Sequence, residues 1–158
     1  MAHITLVGIG YYESPIGVIE IGATPEALAT VYFVDQRSRA PASTPIIEAA
    51  AEQLAQYFAG ARSSFDLPIL LEGTLFQRQV WGHLLHIPCG QTDTYKSVAA
   101  AIGRPRAARA VGRAVGRNPL SIVVPCHRVI GSAGDFRGYG GGLWRKAWLL
   151  QHEGVTLL

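Results

Sequence analysis

Cysteine is scarce: Cys89 and Cys126 are the only two in 158 residues. Two thiols make no disulfide framework and cannot complete a structural zinc site alone. The N-terminal stretch holds no cysteine and only His3, so neither a metal nor a cofactor is expected. Long apolar runs are lacking too, none reaching the roughly 18–20 residues a membrane span needs. Met1-Ala2-His3-Ile4-Thr5 shows no basic segment and no cleavage site of a secretory signal. The expectation is a soluble cytoplasmic protein with reduced thiols and no membrane association. Charge is sparse at 16%, against 49% apolar residues, which excludes a disordered chain.

What charge there is lies unevenly. Residues 1–75 carry three basic and eight acidic side chains, whereas residues 76–158 carry eleven and three, balances of −5 and +8. Such a split suggests that the C-terminal half meets a polyanion, a solvated basic face being the plainer alternative.

The first half reads as strands followed by one helix. Ile4–Ile9, Gly17–Ile21 and Ala27–Val34 are β-branched or aromatic stretches, with a turn at Ser14-Pro15-Ile16-Gly17. With no helix between them, an antiparallel meander follows. Thr44 is a candidate N-cap with Pro45 at the first helical position; apolar residues then recur at helical spacing until Gly60. Arg62–Glu72 reads as a linker ending in a short strand at Pro68–Leu71. The domains expected are 1–72 and 73–158, in an α+β fold whose C-terminal part is mostly helical.

In the second half Thr74 and Gln77 fit a capping box, ahead of an apolar face of Phe76, Val80, Trp81, Leu84 and Leu85; Pro88 stops that helix. His83 and His86 lie three apart, but with no further ligand nearby they read as ordinary surface or core histidines. Thr94 caps a short helix closed by Gly103, and Pro105 opens a second running from Arg106 to about Gly116. This is the pattern of a helix-turn-helix. Arg106, Arg109, Arg113 and Arg117 fall within an arc of roughly 80° on one face. Ala108, Val111 and Val115 can face the core. Ala107, Ala110, Gly112, Ala114 and Gly116 leave the helix slim enough for close approach to another surface, so basic plus small favours DNA.

Ile122–Val124 reads as a short buried strand ended by Pro125, placing Cys126-His127-Arg128 just beyond it. A free thiol is only a few per cent thiolate at neutral pH, and an adjacent base or positive charge raises that fraction. Cys126 is therefore a candidate nucleophile, the alternative being an inert small core residue. Cys89, lacking such neighbours, reads as structural. An unrelated Cys-His hydrolase and a non-catalytic DNA-binding protein stay open on these residues alone.

Pro125-Cys126-His127-Arg128, with Asn118-Pro119 before it and Gly138-Tyr139-Gly140-Gly141-Gly142 after it, closely resembles the O6-alkylguanine-DNA alkyltransferases, also called methylated-DNA–protein-cysteine methyltransferases. The match runs over residues 74–154, including Ile87-Pro88, Tyr95, Arg106–Gly112, Arg145-Lys146 and Glu153-Gly154. The resemblance implies a ribonuclease-H-like N-terminal lobe and a winged helix-turn-helix that binds the minor groove of double-stranded DNA. It implies irreversible, single-turnover transfer of an alkyl group from O6-alkylguanine, and from O4-alkylthymine, to Cys126. His127 would be the base acting through a water, Glu153 its orienting partner, and Asn118 a hinge to the active-site turn. Tyr95 would protonate the leaving guanine at N3. Arg109 would fill the space of the flipped nucleotide, with Ala107, Ala108, Ala110 and Gly112 fitting the groove. Tyr139 and Gly140 would wall the alkyl pocket, the Gly140 N–H donating to O6. The carbonyls of Cys126 and Val129 would accept from the guanine amino group, and Arg128 and Lys146 would be further substrate or DNA contacts. Some relatives carry a zinc in the N-terminal lobe, and a lesion-binding sister group has Trp in place of the cysteine; neither feature is present here. Gly140 stands where some members have Ser. The protein is expected to act as a monomer with no obligate protein partner; cooperativity on DNA stays open.

Overall fold

The computed structural model describes residues 4–135 and 139–156. It is an α+β protein that divides into two compact units, Met1–Glu72 and Gly73–Leu158. Among the described residues no helix is long and apolar enough to cross a membrane.

The first unit is a three-stranded antiparallel sheet in the order β1-β2-β3, covered by one helix. β1 (Gly8–Ser14) pairs with β2 (Gly17–Ala23) from Gly8↔Ala23 to Ser14↔Gly17, and β2 pairs with β3 (Leu28–Val34). The first strand thus lies later than the Ile4–Ile9 expected from apolar content. The tight turn at Pro15-Ile16 decides this: pairing runs back from it through Tyr12 and Tyr11, and the apolar residues 4–6 precede the ladder. The stretch at Pro68–Leu71 contributes a single parallel bridge, with the Leu28 N–H donating to the Pro68 carbonyl and the Leu70 N–H to the Leu28 carbonyl, both at 2.8 Å.

Helix α1 (Pro45–Phe58) starts where local chemistry dictates. The Thr44 hydroxyl accepts from the Ile47 N–H, Pro45 occupies the first turn, and Gly60 follows the helix at φ +77°. Ile47, Ala50, Leu54 and Tyr57 are buried with Ile19, Ile21 and Val31 of the sheet. β1 approaches α1 so closely that a Cβ at Gly8 would stand 2.8 Å from Ile47 Cγ1, and one at Gly10 would run into Ile47 Cγ2.

The second unit is helical. α2 (Leu75–Leu84) opens with a complete capping box: Thr74 accepts from the Gln77 N–H and the Gln77 side chain accepts from the Thr74 N–H. It ends at Leu84, four residues before Pro88, and tighter i→i+3 bonds from His86 to His83 and from Ile87 to Leu84 finish the turn. Val80, Trp81 and Leu84 form its buried face; Leu85 is exposed. The Trp81 indole N–H donates to the Ala114 carbonyl at 2.8 Å, tying α2 to α4 (Ala108–Gly116). Between them, β4 (Asp93–Thr94) leads into α3 (Tyr95–Ala101), capped by Thr94 and closed by Gly103 at φ +79°. α4 starts two residues after the expected Arg106, because residues 104–107 form a turn closed by the Ala107 N–H on the Arg104 carbonyl. Arg106 and Arg117 therefore flank the helix. Its buried face is Val111, Ala114 and Val115, with Ala108 only half-buried.

Residues 122–124 are a tight turn, not the expected strand. Ile122 sits at φ +73°, where a β-branched residue is strained by about 1–3 kcal/mol. Asn118 holds the turn shut: its Nδ2 donates to the Val124 carbonyl at 2.8 Å and the Leu120 carbonyl at 3.3 Å, and its Oδ1 accepts from the Leu120 N–H. A 3-10 turn, Cys126–Arg128, then enters β5 (Val129–Ile130), which pairs in parallel with β4. α5 (Leu143–His152) closes the unit.

Gly10→Ala is expected to destabilise the protein by about 1–3 kcal/mol, the cost of overpacking a close contact. A chemical denaturation curve with its midpoint unchanged would show that Ile47 can move aside freely.

Candidate active site

Cys126, His127 and Arg128 share one 3-10 turn and all three are buried, Cys126 to 2% exposure. The turn follows the Asn118-clamped loop, so the amide that closes the loop also fixes where the thiol begins. His127 Nε2 lies 2.7 Å from Glu153 Oε2, the carboxylate standing at the end of α5. A carboxylate only accepts, so Nε2 carries the proton and Nδ1 is the basic lone pair. Nδ1 is buried and has no hydrogen-bond partner among the described residues. Cys126 and His127 are neighbours in one turn, and Glu153 stands behind the imidazole.

Arg128 differs from expectation. Its Nε and Nη2 grip Glu153 at 2.8 and 3.0 Å, and Nη1 donates to the Ile87 carbonyl at 2.6 Å. Only 6% exposed, it is spent on the relay carboxylate and is no DNA contact. Nor is Cys89 without charged neighbours. Arg128 is close enough to favour its ionised form, yet burial and the nearby Glu153 charge push its thiol up, and it stays a poor nucleophile.

Burial keeps the resting thiol and imidazole uncharged. Burial pushes the Cys126 thiol up, opposed by a hydrogen bond from Asn118, the Lys146 charge, and the backbone N–H groups of Cys126 and His127. Burial likewise pushes the His127 imidazole down, opposed by Glu153 and reinforced by Arg128 and Lys146. Thiol and imidazole are thus both uncharged at rest. A proton moving from Cys126 to Nδ1, directly or through a water, would create the thiolate and the imidazolium together, with Glu153 steadying the latter.

A groove of about 920 Å³ runs along α4. Arg109, Arg113, Arg117 and Lys96 supply its positive charge, and Ala108, Gly112 and Gly116 its slim wall. Ala107 and Ala110 are half-buried and are not part of this lining. Gly131, Ser132, Ala133 and Asp135 face the helix from the other side, residues whose role composition alone did not single out. Tyr95 lines the groove; Cys126 does not and lies buried. The Tyr95 ring stands within 4 Å of where a Cβ on Gly112 would be, so a small residue there leaves room for the phenol.

Tyr139 is buried, its hydroxyl unpaired among the described residues, and burial above all holds its phenol well above the usual range. Gly140 packs against the end of α4, where a Cβ would come within 3.3 Å of the Gly116 carbonyl. Val129 is buried in β5, and its N–H donates to the Cys126 carbonyl. Gly138 and His3 lie outside the described residues. Lys146 is the second departure. At 0% exposure it cannot touch a phosphate; its Nζ donates instead to the Tyr95 hydroxyl at 3.2 Å. Among the described residues no group of three or more His, Cys, Asp or Glu is placed to hold a metal ion.

Comparison with known proteins identifies the family. Residues 7–71 match the family described as 6-O-methylguanine DNA methyltransferase, ribonuclease-like domain, and residues 75–155 match its DNA binding domain. The methylated-DNA–protein-cysteine methyltransferase of Methanosarcina barkeri is 47% identical over 147 residues, covering 89% of this chain and 93% of that protein. The crystal structure of Mycobacterium tuberculosis O6-methylguanine methyltransferase superposes with a TM-score of 0.85 at 42% identity, covering 92% of each chain. The same organism's protein in complex with DNA gives 0.83 at 45% identity over 90% of each. The chain belongs to the 6-O-methylguanine DNA methyltransferase family, the methylated-DNA–protein-cysteine methyltransferases.

Proposed function

We propose that Cys126 is the residue by which this DNA repair methyltransferase takes the alkyl group, once and irreversibly, from O6-alkylguanine in double-stranded DNA, and from O4-alkylthymine. The observation that carries this reading is the buried pair His127–Glu153, 2.7 Å apart, with an unpaired basic nitrogen on the residue next to a buried thiol. The groove of α4 supports it by supplying positive charge and a slim helix face at which a nucleotide turned out of the duplex can be received.

In this reading His127 takes the thiol proton and Glu153 stabilises the imidazolium. The Cys126 sulfur attacks the alkyl carbon as the C–O6 bond breaks, and Tyr95 protonates guanine N3 so that the base departs neutral. Asn118 holds the loop that delivers Cys126. Tyr139 and Gly140 bound the alkyl pocket, the Gly140 N–H donating to O6. The Cys126 and Val129 carbonyls receive the guanine amino group. Arg109 occupies the space left in the duplex, with Ala107, Ala108, Ala110 and Gly112 along the minor groove. The protein works in the cytoplasm as a monomer, without cofactor or obligate protein partner.

Mass spectrometry after incubation with O6-methylguanine DNA tests the acceptor. One methyl group per molecule is expected on the peptide containing Cys126. Uptake should vanish in Cys126→Ser, with DNA binding retained, and persist in Cys89→Ser. Methyl uptake by Cys126→Ser would sink the assignment, and DNA binding without any uptake by the wild type would leave a lesion-binding protein.

Arg109→Ala separates flipping from chemistry. Its repair of duplex DNA should slow far more than its reaction with free O6-benzylguanine, which needs no base flipping. Equal losses on both substrates would place the role of Arg109 elsewhere.

A further inference from the structure

The glycine loop that leads into α5 is held from its solvent side by two side chains that the alkyl-transfer scheme above does not use, Trp144 and Arg145. Trp144 is 58% exposed, so burial does not account for where its indole lies. The ring lies along the backbone of Gly142: a Cβ there would stand 3.5 Å from Cδ1 and 3.6 Å from Nε1. Arg145 completes the hold. Its guanidinium carbon lies over the indole, 4.6 Å from the ring centroid, and its Nη1 donates to the Gly141 carbonyl at 2.8 Å. A planar guanidinium can stack on a ring and hydrogen-bond at its edge at once. The Gly142 N–H in turn donates to the Tyr139 carbonyl at 3.2 Å, closing the turn 139–142.

We infer that Trp144 and Arg145 are positioning residues that set the largest alkyl group the pocket accepts, by bracing Gly141 and Gly142. The inference rests on the reading of Cys126 as acceptor and of Tyr139 and Gly140 as the wall of the alkyl pocket. Tyr139 is buried and near enough to Cys126 for the thiol charge to act on its phenol. A wall of glycine is soft, because a backbone without Cβ turns through many conformations. At Gly140 that softness is blocked on one side, where a Cβ would come within 3.3 Å of the Gly116 carbonyl at the end of α4. Yielding to a bulky alkyl group is therefore left to Gly141 and Gly142, the two residues that the indole and the guanidinium hold.

A methyl group asks little of such a wall. A benzyl group pushes on it, and the push meets the braced glycines. Overpacking a filled site strains it, and strain borne by a braced wall is not relieved until the brace goes. Removing the brace therefore helps the larger group and does nothing for the smaller. That shifts a ratio of rates while leaving untouched the chemistry common to both. Both side chains of the brace reach the surface or lie near it, so they can be changed without emptying the core.

The test uses the full chain and two duplexes of one sequence, carrying O6-methylguanine or O6-benzylguanine at the same position. Leaving base, flipping and proton transfers are then shared. The ratio of the two single-turnover rates, read by mass spectrometry of the alkylated protein, reports on the alkyl group alone. Trp144→Ala and Arg145→Ala should each raise the benzyl-to-methyl ratio about tenfold, the rate equivalent of relieving a modest overpacking strain. Trp144→Phe, which keeps a ring for the guanidinium, should stay near the wild-type ratio. The double alanine variant should go little beyond either single one, since either loss opens the brace. Amide hydrogen exchange across residues 139–142 should quicken in both alanine variants, with the rest of the chain unchanged. An unmoved or lowered ratio, equal slowing on both donors, or a raised ratio without faster exchange overturns the inference while leaving Cys126 as acceptor. No alkyl uptake from either duplex by the wild type would remove the acceptor reading itself, and this inference with it.

Discussion

The Glu153 carboxylate is the constraint from which the catalytic half is organised. Its side chain is 1% exposed, and a buried charge left unpaired costs several kcal/mol. Among the donors that meet it are His127 Nε2, Arg128 Nε and Arg128 Nη2. Arg128 spends its remaining nitrogen on the Ile87 carbonyl in the loop after α2. One carboxylate thus fixes the end of α5, the 3-10 turn and that loop against one another. Burial above all pushes the imidazole toward its uncharged form, and Arg128, pairing with Glu153, reinforces this. A relay built this way is poised but not ionised, and the thiol beside it stays a thiol.

Asn118 performs the complementary task on the chain leading in. The turn at residues 120–124 forces Ile122 into the left-handed region, and only a side chain offering both donors and an acceptor can satisfy its inward-facing backbone groups. Asn does so, and its amide lies near enough to favour the ionised form of the Cys126 thiol, against the larger effect of burial. Local strain, clamp and nucleophile are therefore one unit. A regular strand ending at Pro125 would leave Cys126 without that amide.

This explains which features were legible in the residues and which were not. Thr44, Thr74 and Thr94 cap their helices as spacing requires, because a cap is a bond between positions two or three apart. The meander followed from runs of β-branched residues, although the first strand lay later because the turn, not apolar content, set its register. The Cys126–His127–Glu153 arrangement came from the family pattern. The apolar run Ile122–Val124 concealed a turn, since a buried turn and a buried strand share the same composition. Arg128 and Lys146 were assigned from the resemblance as substrate or DNA contacts, and nothing local reveals a partner 25 or 51 residues away. Their burial is a tertiary fact.

Basic charge in the second unit is consequently of two kinds. Lys96, Arg109, Arg113 and Arg117 stand in the groove and attract any polyanion, whatever its sequence. Arg128 and Lys146 are enclosed and act on two side chains, a carboxylate and a phenol. The division matters because the thiol is both buried and protonated at rest. Polyanion attraction brings DNA to α4 but cannot by itself consume Cys126. In the reaction proposed above, a base would pass Tyr95, at the wall of the groove, to reach a sulfur that ionises as His127 takes its proton. A nucleophile that can be used once gains from that arrangement, since stray electrophiles in water meet a neutral, hidden thiol. In that reading selectivity would reside in access to the thiol, which residues other than the cysteine control.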